Sequence, residues 1–267
     1  MSDTVPSSRE LELSESLAAV RTRLAAAAEA AGRDVSEIEL LPVTKFFPAD
    51  DVIILRRLGC EAFGESREQE ASNKVREIAS IPGVGPIRWH MVGRIQRNKS
   101  RSIAGWAYAA HSVDSAKLVD ALSRAAAAAL DDGRRTEPLR VFIQLSLDGD
   151  ESRGGVDITR PGSVDELCAA AHAAPGLEFA GLMAIPPLDQ DADAAFARVN
   201  TEYRRVQADY SQRLELSAGM SDDLEAAVKH GSTCVRVGTA LLGQRPLPSP
   251  EVVTPVTSSS QTPESRA

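Results

Sequence analysis

Short apolar runs alternate along the chain with longer segments in which apolar residues recur at helical spacing. The runs that we predict to be strands are residues 39–45, 61–65, 87–93, 107–113, 139–147, 177–185, 214–219 and 234–238. Helical patterns include residues 116–130 and 194–214, and an Ala-rich helix is predicted from Ser14 to Ala31. Eight strands separated by helices match the repeat count of a closed (β/α)8 barrel, and several runs are apolar throughout, as strands covered by helices require.

We therefore predict an α/β fold, a single (β/α)8 barrel of the TIM type over residues 10–245, with an N-terminal helix. An open, doubly wound sheet is the alternative fold, but no GxGxxG motif follows the first strand, which argues against a dinucleotide-binding sheet. Residues 1–9 are predicted to be disordered. The C-terminal tail, residues 246–267, is rich in Pro, Ser and Thr, a composition typical of disorder.

Polar residues at the C-terminal ends of parallel barrel strands face the functional mouth of the barrel. This rule selects Lys45, Glu65, His90, His111, Ser112, Asp114, Gln144, Ser146, Met183, Ser217 and Arg236. Lys45 has the most distinctive chemistry, because a partly desolvated lysine can attack a carbonyl as the neutral amine. The alternative is a lysine that extends to the rim or pairs with Glu65.

The last predicted strand is followed by Gly238 and Thr239, which open an apolar helix and could present N–H groups to an anion. A helix predicted from Asp222 to about His230 has Ser221 at its start. The possible phosphate donors are Ser217, Ser221, Gly238 and Thr239, with a charge from Arg236. Ordinary helix capping is the alternative. An amine on the first strand beside a phosphate site after the eighth suits a phosphorylated aldehyde, and pyridoxal 5′-phosphate (PLP) fits that description.

Seven segments occur in the order seen in one known family: VTKFFP, FGES, RWHMVGRIQRNKS, HSVDS, VFIQLSLDGDESRGG, AGLMAIPP and LSAGMSDDLEAAVKHGSTCVRVGTALLG. Over roughly residues 10–245 the chain resembles the pyridoxal phosphate homeostasis proteins of the YggS/PROSC type. The resemblance implies a barrel similar to the N-terminal domain of alanine racemase, with PLP held as a Schiff base on Lys45. It also implies that the cofactor phosphate is surrounded by Ser217, Ser221, Arg236, Gly238 and Thr239. A role for Arg236 near the pyridine ring stays open.

Two positions depart from the family pattern. Ser66 stands where the family usually has Asn, and Leu145-Ser146 follows Gln144 where the family usually has Asn. Serine can hydrogen-bond in either place, so we expect PLP binding to survive. Its side chain is shorter, so we expect the geometry or the exchange rate of PLP to differ. Met183 and His90 are further candidates for cofactor contact, with core packing as the alternative for each.

The composition limits the classes of partner. A formal net charge of −8 and a pI of about 5.2 argue against binding to nucleic acid or to an anionic membrane. The basic run at residues 94–101 is interpreted as a solvated helix face. Three cysteines without CxxC spacing, no clustered metal ligands, no signal peptide and no membrane-length apolar run predict a cytoplasmic protein without a metal site.

We predict a monomeric, non-catalytic protein that buffers PLP or delivers it by transient contact with PLP-dependent apo-enzymes. A PLP-dependent amino-acid racemase is the alternative, and an aldolase using Lys45 is a more distant one. A two-base racemase needs an acid/base opposite the lysine, which in alanine racemases is a tyrosine from a second domain. The residues after the barrel are too few for such a domain, and Tyr203 and Tyr210 fall inside a predicted helix.

Overall fold

The computed structural model describes residues 6–150, 153–187 and 189–244. The predicted tail lies outside these ranges, as do the first five residues of the predicted disordered N-terminus. Within the described residues, the strands are β1 (Glu39–Pro42), β2 (Ala62–Glu65), β3 (Arg88–Met91), β4 (Ala109–Val113), β5 (Leu139–Ser146), β6 (Val156–Asp157), β7 (Leu177–Ala184), β8 (Glu215–Ser217) and β9 (Cys234–Val237). All eight predicted strands are present, and β6 is an additional one.

The strands form a parallel barrel. Their order is β1-β9-β8-β7-β5-β4-β3-β2, and a parallel bridge between Val43 and Gly64 brings β1 against β2. Among the described strands, the short β6 pairs with the end of β5, through Leu145 and Val156. The predicted closed (β/α)8 barrel is therefore confirmed, and the open sheet is excluded because the first and second strands meet.

The helices cover the outside of the barrel. They are α1 (Ser8–Ala30), α2 (Ala49–Arg57), α3 (Glu68–Ala79), α4 (Ser100–Trp106), α5 (Ala116–Asp131), α6 (Pro161–Ala173), α7 (Ala192–Gln207), α8 (Leu224–Lys229) and α9 (Thr239–Leu242). None of these described helices has the length and apolar character needed to cross a membrane.

The main differences between the predicted and observed helix boundaries are in α1, α7 and α8. The N-terminal helix begins at Ser8 rather than Ser14, because the Ser7 hydroxyl accepts the amide hydrogen of Glu10 at 3.1 Å and caps it. Residues 8 and 9, predicted to be disordered, are therefore helical. Helix α7 ends at Gln207, so Tyr210 lies beyond it, and α8 begins two residues later than predicted.

Apolar side chains pack on both sides of the barrel wall. Inside, Phe142 and Met183 pack with Ala109 and Ala180, and both large side chains are at most 1% exposed. Outside, Trp89 packs in the layer between strands and helices, where its ring lies 5.9 Å from that of Phe63. Period-two alternation along the strands produces these two layers and leaves the strand ends to carry polar groups.

Candidate functional site at the C-terminal ends of the strands

Lys45 lies just beyond β1, in a turn rather than in the strand. Its side chain is exposed, so the expected partial desolvation is wrong for this structure. The strand ends early because the chain turns at Phe46, which has a φ of 70° and is the sole non-glycine residue with positive φ in the described ranges. The Lys45 amine makes no hydrogen bond or ion pair with any described residue and lies 5.9 Å from the Phe46 ring centroid.

Glu65 does not pair with Lys45. Its carboxylate is buried and accepts hydrogen bonds from the Thr44 hydroxyl at 2.7 Å and from the Lys74 ammonium at 2.5 Å. Because Lys74 belongs to α3, Glu65 faces the helix layer, which corrects its expected place at the mouth. Burial raises the pKa of Glu65, and the nearby Lys74 charge opposes that rise.

The two loops predicted to bind phosphate meet in space. The Ser221 hydroxyl accepts the amide hydrogen of Ala240, the residue after Thr239, at 3.2 Å. Ser221 is therefore not the N-cap of α8, where Asp223 stands instead. This contact joins the loop after β8 to the first turn of α9, and Arg23 of α1 donates to the Ser221 carbonyl at 2.5 Å.

The same loops are adjacent to the Lys45 turn. The amide of Val43 donates to the carbonyl of Val237 at 2.8 Å, and Gly238 follows directly. A Cβ on Gly238 would lie 3.6 Å from the Val43 carbonyl oxygen. Gly238 and the exposed Thr239 thus stand beside the segment that leads into Lys45.

Arg236 and Ser217 lie deeper in the barrel than the two loops. Arg236 Nη1 donates to Ser217 Oγ at 2.6 Å, and Nη2 donates to the Ala184 carbonyl at 3.0 Å. Both side chains are buried, and burial lowers the pKa of the Arg236 guanidinium. The structure therefore anchors Arg236 between β8 and β7, with no hydrogen bond to Ser221 or Thr239.

A chain of polar contacts continues from Ser217 through the barrel interior. His111 Nδ1 lies 2.8 Å from Ser217 Oγ, and His111 Nε2 lies 2.9 Å from His90 Nδ1. His90 Nε2, at the end of this chain, is buried without a hydrogen-bond partner among the described residues. Burial lowers the pKa of His90 to about 3 and that of His111 well below its ordinary value, so both rings are neutral at pH 7.

The remaining candidates are distributed around the mouth. Met183 is fully buried beneath it, in the core position that was one of its two expected roles. Ser66 is half-buried after β2, and its carbonyl oxygen occupies the space that a Cβ on Gly93 would need. Gln144 donates to the Arg153 carbonyl at 3.1 Å, which holds the loop after β5 against the barrel.

Sequence reasoning missed two residues of this region, Glu70 and Lys74 of α3. Glu70 accepts the Phe46 amide hydrogen at 2.5 Å, and Lys74 donates to the Thr44 carbonyl at 2.8 Å. Their spacing of four on a helix directly after FGES was the available signal, because such pairs share one helix face.

The chain matches known proteins over most of its length. The family model described as alanine racemase, N-terminal domain, matches residues 16–246. The pyridoxal phosphate homeostasis protein of Mycobacterium bovis is 64% identical over 248 residues, 91% of this chain and 96% of that protein. The protein of the same description from Escherichia coli is 36% identical over 246 residues, 88% of this chain and 97% of that protein.

Solved structures agree with these matches. PipY of Synechococcus elongatus, solved with PLP bound, has a TM-score of 0.72 and 31% identity, and the match covers 86% of this chain and 100% of that chain. Alanine racemase from Corynebacterium glutamicum shares the fold, with a TM-score of 0.58 and 18% identity, and the match covers 84% of this chain and 60% of that chain. The predicted resemblance is confirmed: the chain belongs to the family of the pyridoxal phosphate homeostasis proteins, whose barrel is that of the alanine racemase N-terminal domain.

Proposed function

We propose that this protein binds PLP covalently through Lys45 and holds it for PLP homeostasis, without a catalytic reaction of its own. The position of Lys45 carries the proposal. Its amine has no hydrogen-bond or ion-pair partner among the described residues, and it follows the segment that packs against Gly238. An amine that is exposed and unpaired is available to an incoming aldehyde.

The donors around Lys45 fit a phosphorylated aldehyde. When bound, PLP would supply an aldehyde carbon as the electrophile for a neutral lysine amine, and their condensation would release one water. The hydroxyls of Ser221 and Thr239 and the backbone amide of Gly238 would hold the phosphate, because barrels commonly bind phosphate in the loops after their last two strands. These loops are already joined by the contact between Ser221 and Ala240.

Arg236 is better assigned to the pyridine ring than to the phosphate. Its guanidinium is held by Ser217 and the Ala184 carbonyl inside the barrel, so it is fixed independently of the phosphate loops. Ser66 at the mouth would contact the cofactor, with Met183 packing beneath it. His90 would affect the cofactor indirectly, through the polar contacts that run from His111 and Ser217 to Arg236.

The placement of the tyrosines supports a carrier rather than a racemase. The Tyr108 ring lies 5.6 Å from the Arg88 guanidinium and 5.4 Å from that of Arg140, near the N-terminal ends of the strands. Tyr203 donates to the Leu214 carbonyl at 2.7 Å, and Tyr210 packs beyond the end of α7. With only three tyrosines in the chain, none is placed to serve as the second base at the mouth.

Borohydride reduction after incubation with PLP tests the assignment, because reduction makes the bond between lysine and cofactor permanent. We expect the mass of one phosphopyridoxyl group on the peptide containing Lys45. Lys45→Ala should abolish this label, whereas Lys117→Ala, a change at an exposed lysine of α5, should retain it. Equal labelling of Lys45→Ala at another lysine would contradict the assignment of the Schiff base to Lys45.

The non-catalytic part of the proposal has its own measurement. The PLP-loaded protein is incubated with L- or D-alanine in deuterated water, and loss of the α-proton is followed by NMR. We expect exchange no faster than with free PLP. Exchange at an enzymatic rate would overturn the carrier and favour the racemase. Transient contact with PLP-dependent apo-enzymes and the monomeric state stay predictions.

A further inference from the structure

The residues on both sides of Lys45 are held by side chains that make no hydrogen bond or ion pair with Lys45 in the described structure. Before it, Thr44 offers its carbonyl to Lys74 Nζ at 2.8 Å and its hydroxyl to Glu65 at 2.7 Å. After it, the Phe46 amide donates to Glu70 Oε1 at 2.5 Å. Glu70 and Lys74 are four residues apart on α3, and their charged atoms are 3.6 Å apart. Two side chains on one face of α3 therefore hydrogen-bond to the backbone on either side of Lys45, at the Thr44 carbonyl and at the Phe46 amide.

The contact with Glu70 lies at a residue whose backbone is strained. Phe46 has a φ of 70°, a conformation that disfavours residues with a Cβ and persists only where surrounding contacts enforce it. Glu70 supplies such a contact, because its carboxylate accepts the amide hydrogen of that same residue. The Arg67 guanidinium lies 4.9 Å from the Phe46 ring centroid and restrains the side chain as well.

The Lys74 ammonium is fully engaged in holding the Lys45 turn. Its side chain is 6% exposed, and its ammonium is bound by the Thr44 carbonyl and by Glu65 Oε1 at 2.5 Å. A buried ammonium in such contacts is not available as a second nucleophile. The arrangement thus leaves Lys45, rather than Lys74, as the accessible amine of this corner of the barrel.

We propose that Glu70 and Lys74 are positioning residues, which hold the strained turn so that the Lys45 amine is presented to the aldehyde. The proposal rests on the proposed function, since it concerns the same amine. A turn held by packing alone would let Lys45 sample many orientations, and each capture of PLP would then have to wait for the productive one.

The test measures how fast PLP is captured by Lys45 in wild-type protein, Glu70→Ala, Glu70→Gln and Glu77→Ala. Stopped-flow absorbance gives the rate constant, and borohydride labelling shows that Lys45 carries the product. Glu77 lies on the same helix with its side chain exposed, so Glu77→Ala is the matched control. All rates are measured well below the lowest melting temperature, so that a change in stability alone does not change them.

We expect Glu70→Ala to capture PLP about tenfold more slowly, the effect of losing one hydrogen bond to a charged group. Glu70→Gln should recover part of the rate, because its amide oxygen can still accept from Phe46. Glu77→Ala should match the wild type. A merely structural role would lower the melting temperature of Glu70→Ala and leave its capture rate unchanged.

Lys74 is tested with a double variant that does not leave the buried Glu65 carboxylate without its partner. Lys74→Met is combined with Glu65→Gln, and Glu65→Gln alone is the reference. We expect the double variant to capture PLP more slowly than Glu65→Gln, in which Lys74 can still donate to the Thr44 carbonyl. Wild-type rates in both Glu70→Ala and the double variant would overturn the inference while the proposed function stands. If wild-type protein takes no label at Lys45, the proposed function fails and the inference with it.

Discussion

At the residue scale, the interior histidines show how a neutral ring depends on its neighbours. A chain of polar contacts runs from the Arg236 guanidinium through Ser217 and His111 and ends at the buried His90. Burial disfavours a proton on either ring, and a protonated His111 would also face the charge of Arg236, whereas a protonated His90 would face those of Arg88 and Arg140. The barrel interior therefore favours the neutral form of both rings.

This arrangement predicts a loss of stability in acid. The pKa of His90 is about 3 in the folded protein, against 6.5 when exposed. Between these values the unfolded chain binds a proton that the folded chain does not, so the free energy of unfolding decreases as the pH falls from about 6.5 towards 3. Each such histidine contributes a slope of up to about 1.4 kcal/mol per pH unit.

The measurement is denaturant unfolding of wild-type protein, His90→Gln and His172→Gln between pH 7 and pH 4. His90→Gln should weaken the dependence on pH, whereas His172→Gln, at an exposed position on α6, should leave it unchanged. Identical slopes in all three proteins would show that His90 is protonated in the folded state.

At the element scale, most strands and helices were predictable, but their boundaries were not. The apolar runs identified all eight barrel strands because each must be covered on both faces. Boundaries depend on contacts that the run does not contain. The strand β1 ends early because Phe46 turns the chain, and α1 starts early because the Ser7 side chain caps it.

The junction of β2 and β3 makes an element-scale prediction. A Cβ at Gly93 would overlap the backbone oxygen of Ser66, so Gly93→Ala should force the two loops apart and lower the free energy of unfolding by about 1–3 kcal/mol. It should also weaken PLP binding by displacing Ser66. Calorimetric unfolding and a PLP titration check both effects.

Gly162→Ala is the matched control for that change. Gly162 lies in the first turn of α6, and a Cβ there would meet no atom within 4 Å. The substitution should be neutral or stabilising by about 0.4–1 kcal/mol, because alanine loses less backbone entropy on folding. Equal destabilisation by the two substitutions would contradict the steric explanation.

At the scale of the whole molecule, α1 ties the start of the barrel to its end. Arg9 donates to the buried carboxylate of Asp51 on α2, with Nη2 to Oδ2 at 2.6 Å, and to the Leu242 carbonyl at the end of α9 at 3.1 Å. Helices α2 and α9 follow β1 and β9, which are neighbours in the barrel. Arg9 therefore joins the two helices that follow the first and last strands of the barrel.

Arg9→Met should lower the free energy of unfolding by about 1–3 kcal/mol, because it leaves the Asp51 carboxylate buried without its partner. The more exposed pair of Arg213 and Glu37 provides the control, since Arg213→Met should cost no more than about 1 kcal/mol. A double-mutant cycle with Asp51→Asn measures the coupling. A coupling free energy near zero would show that the contact between Arg9 and Asp51 does not stabilise the barrel.

The sequence by itself determined the barrel, the family and the segments that line the mouth, because strand periodicity and local motifs are properties of short stretches of chain. Only the tertiary structure decided what each side chain meets. Glu65 pairs with Lys74, Ser221 with Ala240 and Arg236 with Ser217, and each contact joins separate elements. Such pairings depend on the register of neighbouring strands and on which face of a strand a residue occupies, which are set only when the whole barrel closes.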